Sequence, residues 1–124
     1  MAQSGRFELG LRVLALLARE PETMMTSAAI AEALGESAVM VRRLFPPLHE
    51  AGLIQQRKGP AGGAKLNLSA KSIGIGDVFA AIEPDWLTSG EKALDGALKR
   101  ARAEAIEAMN ETSVASVVKK LKKA

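Results

Sequence analysis

The sequence predicts a mainly α-helical fold with one small β-hairpin: a winged helix-turn-helix followed by a long C-terminal helix. Three observations carry that expectation. Ala31, Gly35 and Val41 stand at the spacing of a helix-turn-helix, with Ile30, Leu34 and Leu44 as the apolar positions of two crossed helices. A small residue lets such helices approach, a glycine takes the positive-φ position at the turn, and a branched residue fills the angle between them. Just downstream, Arg57-Lys58-Gly59-Pro60-Ala61-Gly62-Gly63-Ala64-Lys65 reads as the tip of a basic hairpin, rich in the residues that turns require. Finally, aromatics make up only 3% of a chain that is 48% hydrophobic, so its core must be built from Leu, Ala, Val and Ile, for which helix is the natural material.

The length of 124 residues fits one domain plus an appendage, and a chain of this size buries roughly two-thirds of its unfolded surface. We divide it at residues 1–84, a DNA-binding winged helix, and 85–124, a dimerisation helix with a C-terminal helix. The net charge of +3 is mild for a nucleic-acid binder, so the distribution of charge has to carry that reading. Zero cysteines exclude disulfides, thiolate metal sites and a cysteine nucleophile. No apolar run approaches the ~18 residues of a membrane helix, and no basic start leads into an apolar leader, so a soluble, cytoplasmic protein without membrane contact is expected.

The first helix is expected over 4–19. Phe7, Leu11, Leu14, Leu17 and Ala18 fall at helical spacing, and Leu9, Val13 and Leu16 widen the apolar face until the helix is nearly surrounded. Ser4 and Arg6 at its start are candidates for a phosphate contact, because free amides there favour an anion. The second helix, 27–34, is capped by Thr26 or Ser27 and closed by Gly35; both hydroxyl residues join the candidate DNA-binding set. The third begins near Ser37. On a helical wheel Val41, Leu44, Phe45 and Leu48 form its buried side, while Val39, Arg42, Arg43 and Pro46 face outward. A helix fits the major groove, where arginine donates two hydrogen bonds to guanine and an apolar group meets a thymine methyl, so Val39 and Arg43 are the candidate base readers. Pro46 and Pro47 remove donors for the carbonyls of Arg42 and Arg43 at a cost of around 3 kcal/mol for an interior proline. They predict a kink, a break, or a fresh turn opening at Pro47.

Strands are expected at 53–58 and 64–68, with Leu66 and Leu68 inward and Lys65 and Asn67 outward. From Gln55 to Lys71 the chain carries Arg57, Lys58, Lys65 and Lys71 and no acid. A cationic hairpin beside a helix-turn-helix adds phosphate or minor-groove contacts. Gly62 and Gly63 would let its backbone pass close to the sugar-phosphate chain.

The run from the first helix through Ala51-Gly52-Leu53-Ile54, Lys58-Gly59-Pro60-Ala61-Gly62-Gly63, Ile73, Ile75-Gly76-Asp77-Val78 and Ala81-Ile82-Glu83 resembles the Rrf2 family of bacterial winged-helix transcription regulators. The resemblance covers most of the chain and implies a homodimer on a two-fold-related site in double-stranded DNA, recognition helix in the major groove and wing in the minor. Two departures stand out: Ala64 replaces the family's usual aromatic after the paired glycines, and the double proline is not general in its recognition helix. A third concerns the signal. Several members hold a cysteine-ligated iron–sulfur cluster in the loop before the long helix, yet here that loop is Pro84-Asp85-Trp86-Leu87-Thr88-Ser89-Gly90, without cysteine, and His49 is the only histidine. The resemblance therefore implies the cysteine-free branch, with no cofactor, no metal, and a small molecule, a protein partner or nothing as signal.

Beyond Pro84, Thr88 and Glu91 fit a capping box for a helix running to about Asn110. Leu94, Leu98, Ala101, Ala105 and Ala108 recur along it at spacings of four and three, a seam whose small residues permit close approach. This is the candidate dimerisation surface. The tail, 112–124, places Val114, Val117, Val118 and Leu121 on one face for docking on the dimer, with lysines at its end to suit a helix C-terminus. Catalysis has no evident basis: Glu32, Glu36, Glu50, Asp77, Glu83 and Asp85 show no paired arrangement. The expected function is a DNA-binding transcription repressor. The alternative is a winged-helix scaffold for protein interaction or small-ligand sensing, with Trp86 as the wall of a ligand pocket.

Overall fold

Helix α1, Arg6–Arg19, is the post on which the other elements lean. In the computed structural model, which describes residues 5–59 and 62–123, it is followed by α2 (Ser27–Leu34), α3 (Ala38–Glu50), β1 (Ile54–Arg57) and β2 (Gly63–Leu66). A 3-10 turn at Ala70–Ser72, then α4 (Ile75–Ile82), α5 (Lys92–Met109) and α6 (Val114–Lys123) complete the chain. α1 buries Leu9, Val13, Leu14, Ala15 and Leu17 against α2, α3, β2, α4 and α6, as its broad apolar face requires. Gly10 lets α4 lie against it, since a Cβ there would run into the Ile82 side chain. Ser4 lies outside the described residues; the N-cap position is Gly5, at φ 74°.

The helix-turn-helix forms as the spacing predicts. Thr26 Oγ1 accepts a hydrogen bond from the Ala29 amide at 3.0 Å, Gly35 adopts φ 69°, and the Glu36 amide donates back to Ala31 O at 2.9 Å, closing α2 in the manner of a left-handed C-cap. Arg12 of α1 holds this turn in place, donating from Nη2 to Leu34 O at 3.0 Å and from Nη1 to Glu36 at 3.5 Å. Ser37 then caps α3, its Oγ accepting from the amides of Val39 and Met40.

The break expected at Pro46 and Pro47 does not occur. α3 continues through both to Glu50. Arg42 and Arg43 are exposed, so water can serve the carbonyls that lose their helical donors, while Val41, Leu44, Phe45 and Leu48 are buried on either side of the prolines. Those anchors hold the backbone helical where the local hydrogen bonding is weakest.

The hairpin is antiparallel, pairing Ile54 with Leu66, Gln55 with Lys65, Gln56 with Ala64 and Arg57 with Gly63. Met25, just before α2, bonds the other edge of β2 through both Ala64 backbone groups, at 2.8 and 2.9 Å. Leu68, expected inward, is 44% exposed. The last in-register bond runs from the Asn67 amide to Leu53 O at 3.0 Å; pairing stops there because the Leu53 amide donates to Leu48 O at 3.0 Å, while the Asn67 side chain donates to Gly52 O at 3.0 Å.

Two polar clasps join α5 and α6 to the rest. Asp77 Oδ2 accepts from the Gly74 amide at 3.0 Å, Asn110 Oδ1 accepts from the Asp77 amide at 2.9 Å, and Asn110 Nδ2 donates to Asp77 Oδ1. Asn110 thereby supplies the N-terminal cap of α4 from 33 residues away. Ile75 donates to Thr112 O and Val114 to Ile73 O, at 2.9 and 2.8 Å. Val114 is fully buried and α6 packs on α1, so the start of the tail's apolar face covers its own domain, while Leu121 at its far end stays 51% exposed. The Thr88–Glu91 capping box does not form. α5 starts at Lys92, which makes Glu91 the N-cap position instead of the third helical residue; Thr88 Oγ1 donates to Asp85 O, and Ser89 Oγ accepts from the Glu91 amide. Among the described residues no helix is long and apolar enough to cross a membrane.

Candidate nucleic-acid interface

The outward face of α3 is the one the periodicity predicts. Val39 is 48% exposed, and Arg42, Arg43 and Pro46 are exposed beside it. Val39, Arg42 and Arg43 all lie before the first proline, on a helix that stays continuous although the Arg42 and Arg43 carbonyls lack helical donors.

Beside this face, the start of α2, the middle of α3 and the base of the wing enclose a concavity of about 350 Å³. It gathers Thr26, Ser27, Arg42, Arg57, Lys58, Gly62 and Gly63 of the predicted set. These residues come from three separate stretches of chain, and each is brought there for a local reason. Thr26 and Ser27 sit at the capped start of α2, where the amides of the first turn point outward and favour an anion. The Thr26 hydroxyl accepts from Ala29 and keeps its proton to donate. Arg57 and Lys58 are exposed where β1 leaves the ladder, and Arg42 reaches the same hollow from α3. The arrangement can hold a phosphate between hydroxyl, amide and cationic donors, next to a helix face with Val39 and Arg43 free to meet base edges.

The other predicted residues lie elsewhere. Arg6 lines a different hollow, with Pro47, Glu83, Asp85 and Trp86. Lys65 is half-buried and pairs with Glu22 at 3.7 Å, so its charge is partly met within the chain. Ser37, with its Oγ accepting two amides, acts as the cap of α3. The paired glycines have an internal reason. A Cβ on Gly62 would collide with the Arg57 carbonyl, and one on Gly63, at φ 134°, with the Met25 carbonyl. The wing needs them to close on itself and on the strand edge at Met25, whatever it meets outside. Gln56, which the sequence reading passed over, also lines the concavity. The signal for it was a polar residue at an inward position of β1, between Ile54 on the same face and the turn.

α5 has no buried residue. Along the seam, Leu94 is 58% exposed, Ala101 and Ala108 are exposed, and Leu98 and Ala105 are half-covered. Trp86, at 37% exposure, stands in the loop before this helix with its ring edge-on to Phe79, 5.1 Å between centroids.

The profile of the Rrf2 family, described as iron-dependent transcriptional regulator, matches residues 3–120. The chain belongs to the Rrf2 family. Its members are transcriptional regulators and not enzymes. Among curated relatives, the HTH-type transcriptional regulator IscR of Vibrio campbellii is 43% identical over 56 residues, 45% of this chain and 33% of that protein. A putative HTH-type transcriptional regulator, YffB of Lactococcus lactis, is 37% identical over 84 residues, 67% of this chain and 54% of that protein. The chain thus spans about a third to a half of the length of the curated relatives it matches. Among solved structures, CymR of B. subtilis, titled the global cysteine regulator, superposes with a TM-score of 0.73 at 23% identity, over 97% of this chain and 98% of that one. The oxidized form of Staphylococcus aureus CymR gives 0.69 at 26% identity, over 95% and 96%.

The family's description names iron, and the residues here do not fit it. The sequence holds no cysteine and a single histidine, and the His49 Nδ1 is engaged with Ile54 O at 3.3 Å. Among the described residues no three His, Cys, Asp or Glu side chains are grouped as metal ligands. A thiolate-ligated cluster has no ligand set on this chain.

Proposed function

We propose that this protein is a homodimeric DNA-binding transcription regulator acting as a repressor in the cytoplasm, with Arg43 and Val39 reading bases in the major groove. Arg42, Arg57 and Lys58 hold phosphate around the concavity at the foot of the wing, and the wing tip follows the minor groove. The single observation that carries the reading is that concavity: hydroxyls, a helix N-terminus and three cations from separate elements converge on one hollow, flush with an exposed arginine face of a helix-turn-helix. Lys65, tied to Glu22, makes the weaker contribution. Thr26 and Ser27 donate to phosphate, and Ser37 orients α3 at the groove. Ser4 and Arg6 remain candidates for a flanking phosphate.

Dimerisation is assigned to α5. An 18-residue helix, about 27 Å long at 1.5 Å per residue, with an apolar stripe and no buried side chain, is unstable by itself in water and gains most from a second copy packed along Leu94, Leu98, Ala101, Ala105 and Ala108. Two copies related by a two-fold axis would present two recognition helices to a palindromic site. A small-molecule effector, if the regulator takes one, has Trp86 at its disposal as a wall.

The scaffold alternative drew its force from an α3 broken by prolines, and the continuous helix removes that motive. Selection from a random duplex library with the purified protein tests the reading. The expected result is an enriched palindrome whose half-sites lie about one helical turn apart; no enrichment, even at low salt, would return the scaffold reading.

A further inference from the structure

We propose that the hollow between α4, the loop after it and α5 binds a small organic anion with an apolar body, an aryl or branched-alkyl carboxylate. This deepens the effector part of the proposed function and rests on it only for the consequence; the binding itself is a property of the hollow.

The cavity measures about 460 Å³, in the range that holds a small metabolite. Phe79 and Ile106 line it from α4 and α5, and Trp86 from the loop. The Trp86 ring is preset. It meets Phe79 edge-on, and Phe79 in turn meets Phe7 of α1 edge-on at 5.0 Å and 89°, an arrangement that stabilises aromatic pairs. A tryptophan held this firmly and left 37% exposed is a wall with one face open.

The polar side of the cavity is cationic. Lys99 is exposed and lines the hollow beside Arg102. Both bonds of the Arg102 guanidinium, to Leu87 O at 2.7 Å and to Asp95 Oδ1 at 3.2 Å, leave from Nη1, so donors on Nε and Nη2 remain for a ligand. The bond to Leu87 O supports that residue at φ 54°, a left-handed conformation that a non-glycine residue adopts only where its surroundings hold it. Glu83 also lines the cavity and has its own partner within the chain; Asp95 pairs with Arg102 from outside the lining, so Lys99 carries the charge offered to a ligand and Arg102 adds its remaining donors. An apolar body against two rings with a carboxylate between Lys99 and Arg102 satisfies both sides at once.

On a helical wheel Lys99, Arg102, Ala103 and Ile106 lie about 120° around α5 from the seam of Leu94, Leu98, Ala101, Ala105 and Ala108. A ligand there leaves the dimer stripe clear while bridging α4, which packs on α1 and α3, to the dimer helix.

Trp86 is the only tryptophan, so its fluorescence reports on the two hollows it lines, this one and the neighbouring one at Arg6; Lys99, which lines only this one, tells them apart. The full chain is titrated with 3-phenylpropanoate and 4-methylpentanoate and with their neutral amides. The expected result is a saturable change in emission with the acids, at least ~10-fold tighter than with the amides, the equivalent of one modest charge contact. Lys99→Gln, on an exposed side chain, should weaken the acids ~10-fold and leave the amides unchanged. No saturable change, equal affinity for acid and amide, or an equal loss for both in Lys99→Gln overturns the proposal. A protein that binds carboxylate and selects no DNA refutes the regulator reading alone; one that selects a palindrome and binds no carboxylate refutes this one alone.

Discussion

Replacing Pro46 by alanine isolates the question on which the recognition helix turns. Pro46 is exposed on the outward face of an unbroken α3, so the change empties no core space. Alanine restores an amide donor for the Arg42 carbonyl, a hydrogen bond with a net worth of about 1 kcal/mol once water competition is counted. It also relieves the clash between a proline ring and the preceding turn, which together with the lost donor makes an interior proline about 3 kcal/mol worse than alanine. Against this, alanine frees the unfolded chain and gives back roughly 0.4–1 kcal/mol. These limits leave roughly 0–2.6 kcal/mol; because the carbonyl already faces water and the helix has accommodated the ring, we expect the lower part of that range, a stabilisation of about 0.5–1 kcal/mol. In urea unfolding this moves the midpoint up with no change in slope. On selected DNA, the preferred site and its affinity should stay the same, since Val39, Arg42 and Arg43 precede the proline. A loss of stability would show that the proline conformation is required by the fold. A gain of tenfold or more in DNA affinity would show that the proline had been distorting the reading face.

Further outcomes follow from the same geometry. Arg43→Ala should cost about 1–3 kcal/mol on the selected site and relax preference at one position, whereas Lys58→Ala should weaken all sequences alike and lower the slope of log affinity against log salt by about 1, both measured by fluorescence anisotropy across a salt series. Leu98→Glu, placing a charge in the α5 stripe, should yield a monomer in sedimentation at micromolar concentration while circular dichroism stays native, because no α5 side chain is buried within the chain. Gly63→Ala forces a Cβ into the Met25 carbonyl at φ 134° and should destabilise by more than about 1 kcal/mol in urea unfolding, with loss of amide protection along β2. Asn110→Ala removes the acceptor that caps the Asp77 amide and should cost about 0.5–2 kcal/mol by the same measurement.

Local chemistry was legible where one short stretch decides the outcome. Thr26, Gly35 and Ser37 cap or close their helices as residue type and position require, and the exposed faces of α3 and α5 follow from their periodicity. The misreadings come from hydrogen bonds that residue type and spacing alone do not reveal. Thr88 and Glu91 had the right spacing for a box, yet the helix begins one residue after Glu91, where Asp95 and Ser89 take up the free amides. Leu68 continued an alternation that stops because the Leu53 amide is spent on Leu48 O, leaving β2 no partner beyond Asn67. Arg6 and Lys65 stay candidates, and only the fold shows their surroundings: Arg6 lines a hollow with Glu83 and Asp85, and Lys65 lies against Glu22.

By itself, the order of residues determined the helix-turn-helix with its wing, the outward arginine face, and the absence of any thiolate ligand for iron. These rest on spacing, on glycine at positive φ, and on composition, all of which act within a few residues. Only the tertiary structure decided that α3 survives its two prolines, that α6 closes onto α1, and that Thr26, Arg42 and Lys58 share one hollow. Each of those depends on buried anchors such as Leu44, Leu48 and Val114, whose packing energy outweighs local preference and is invisible until the chain is folded.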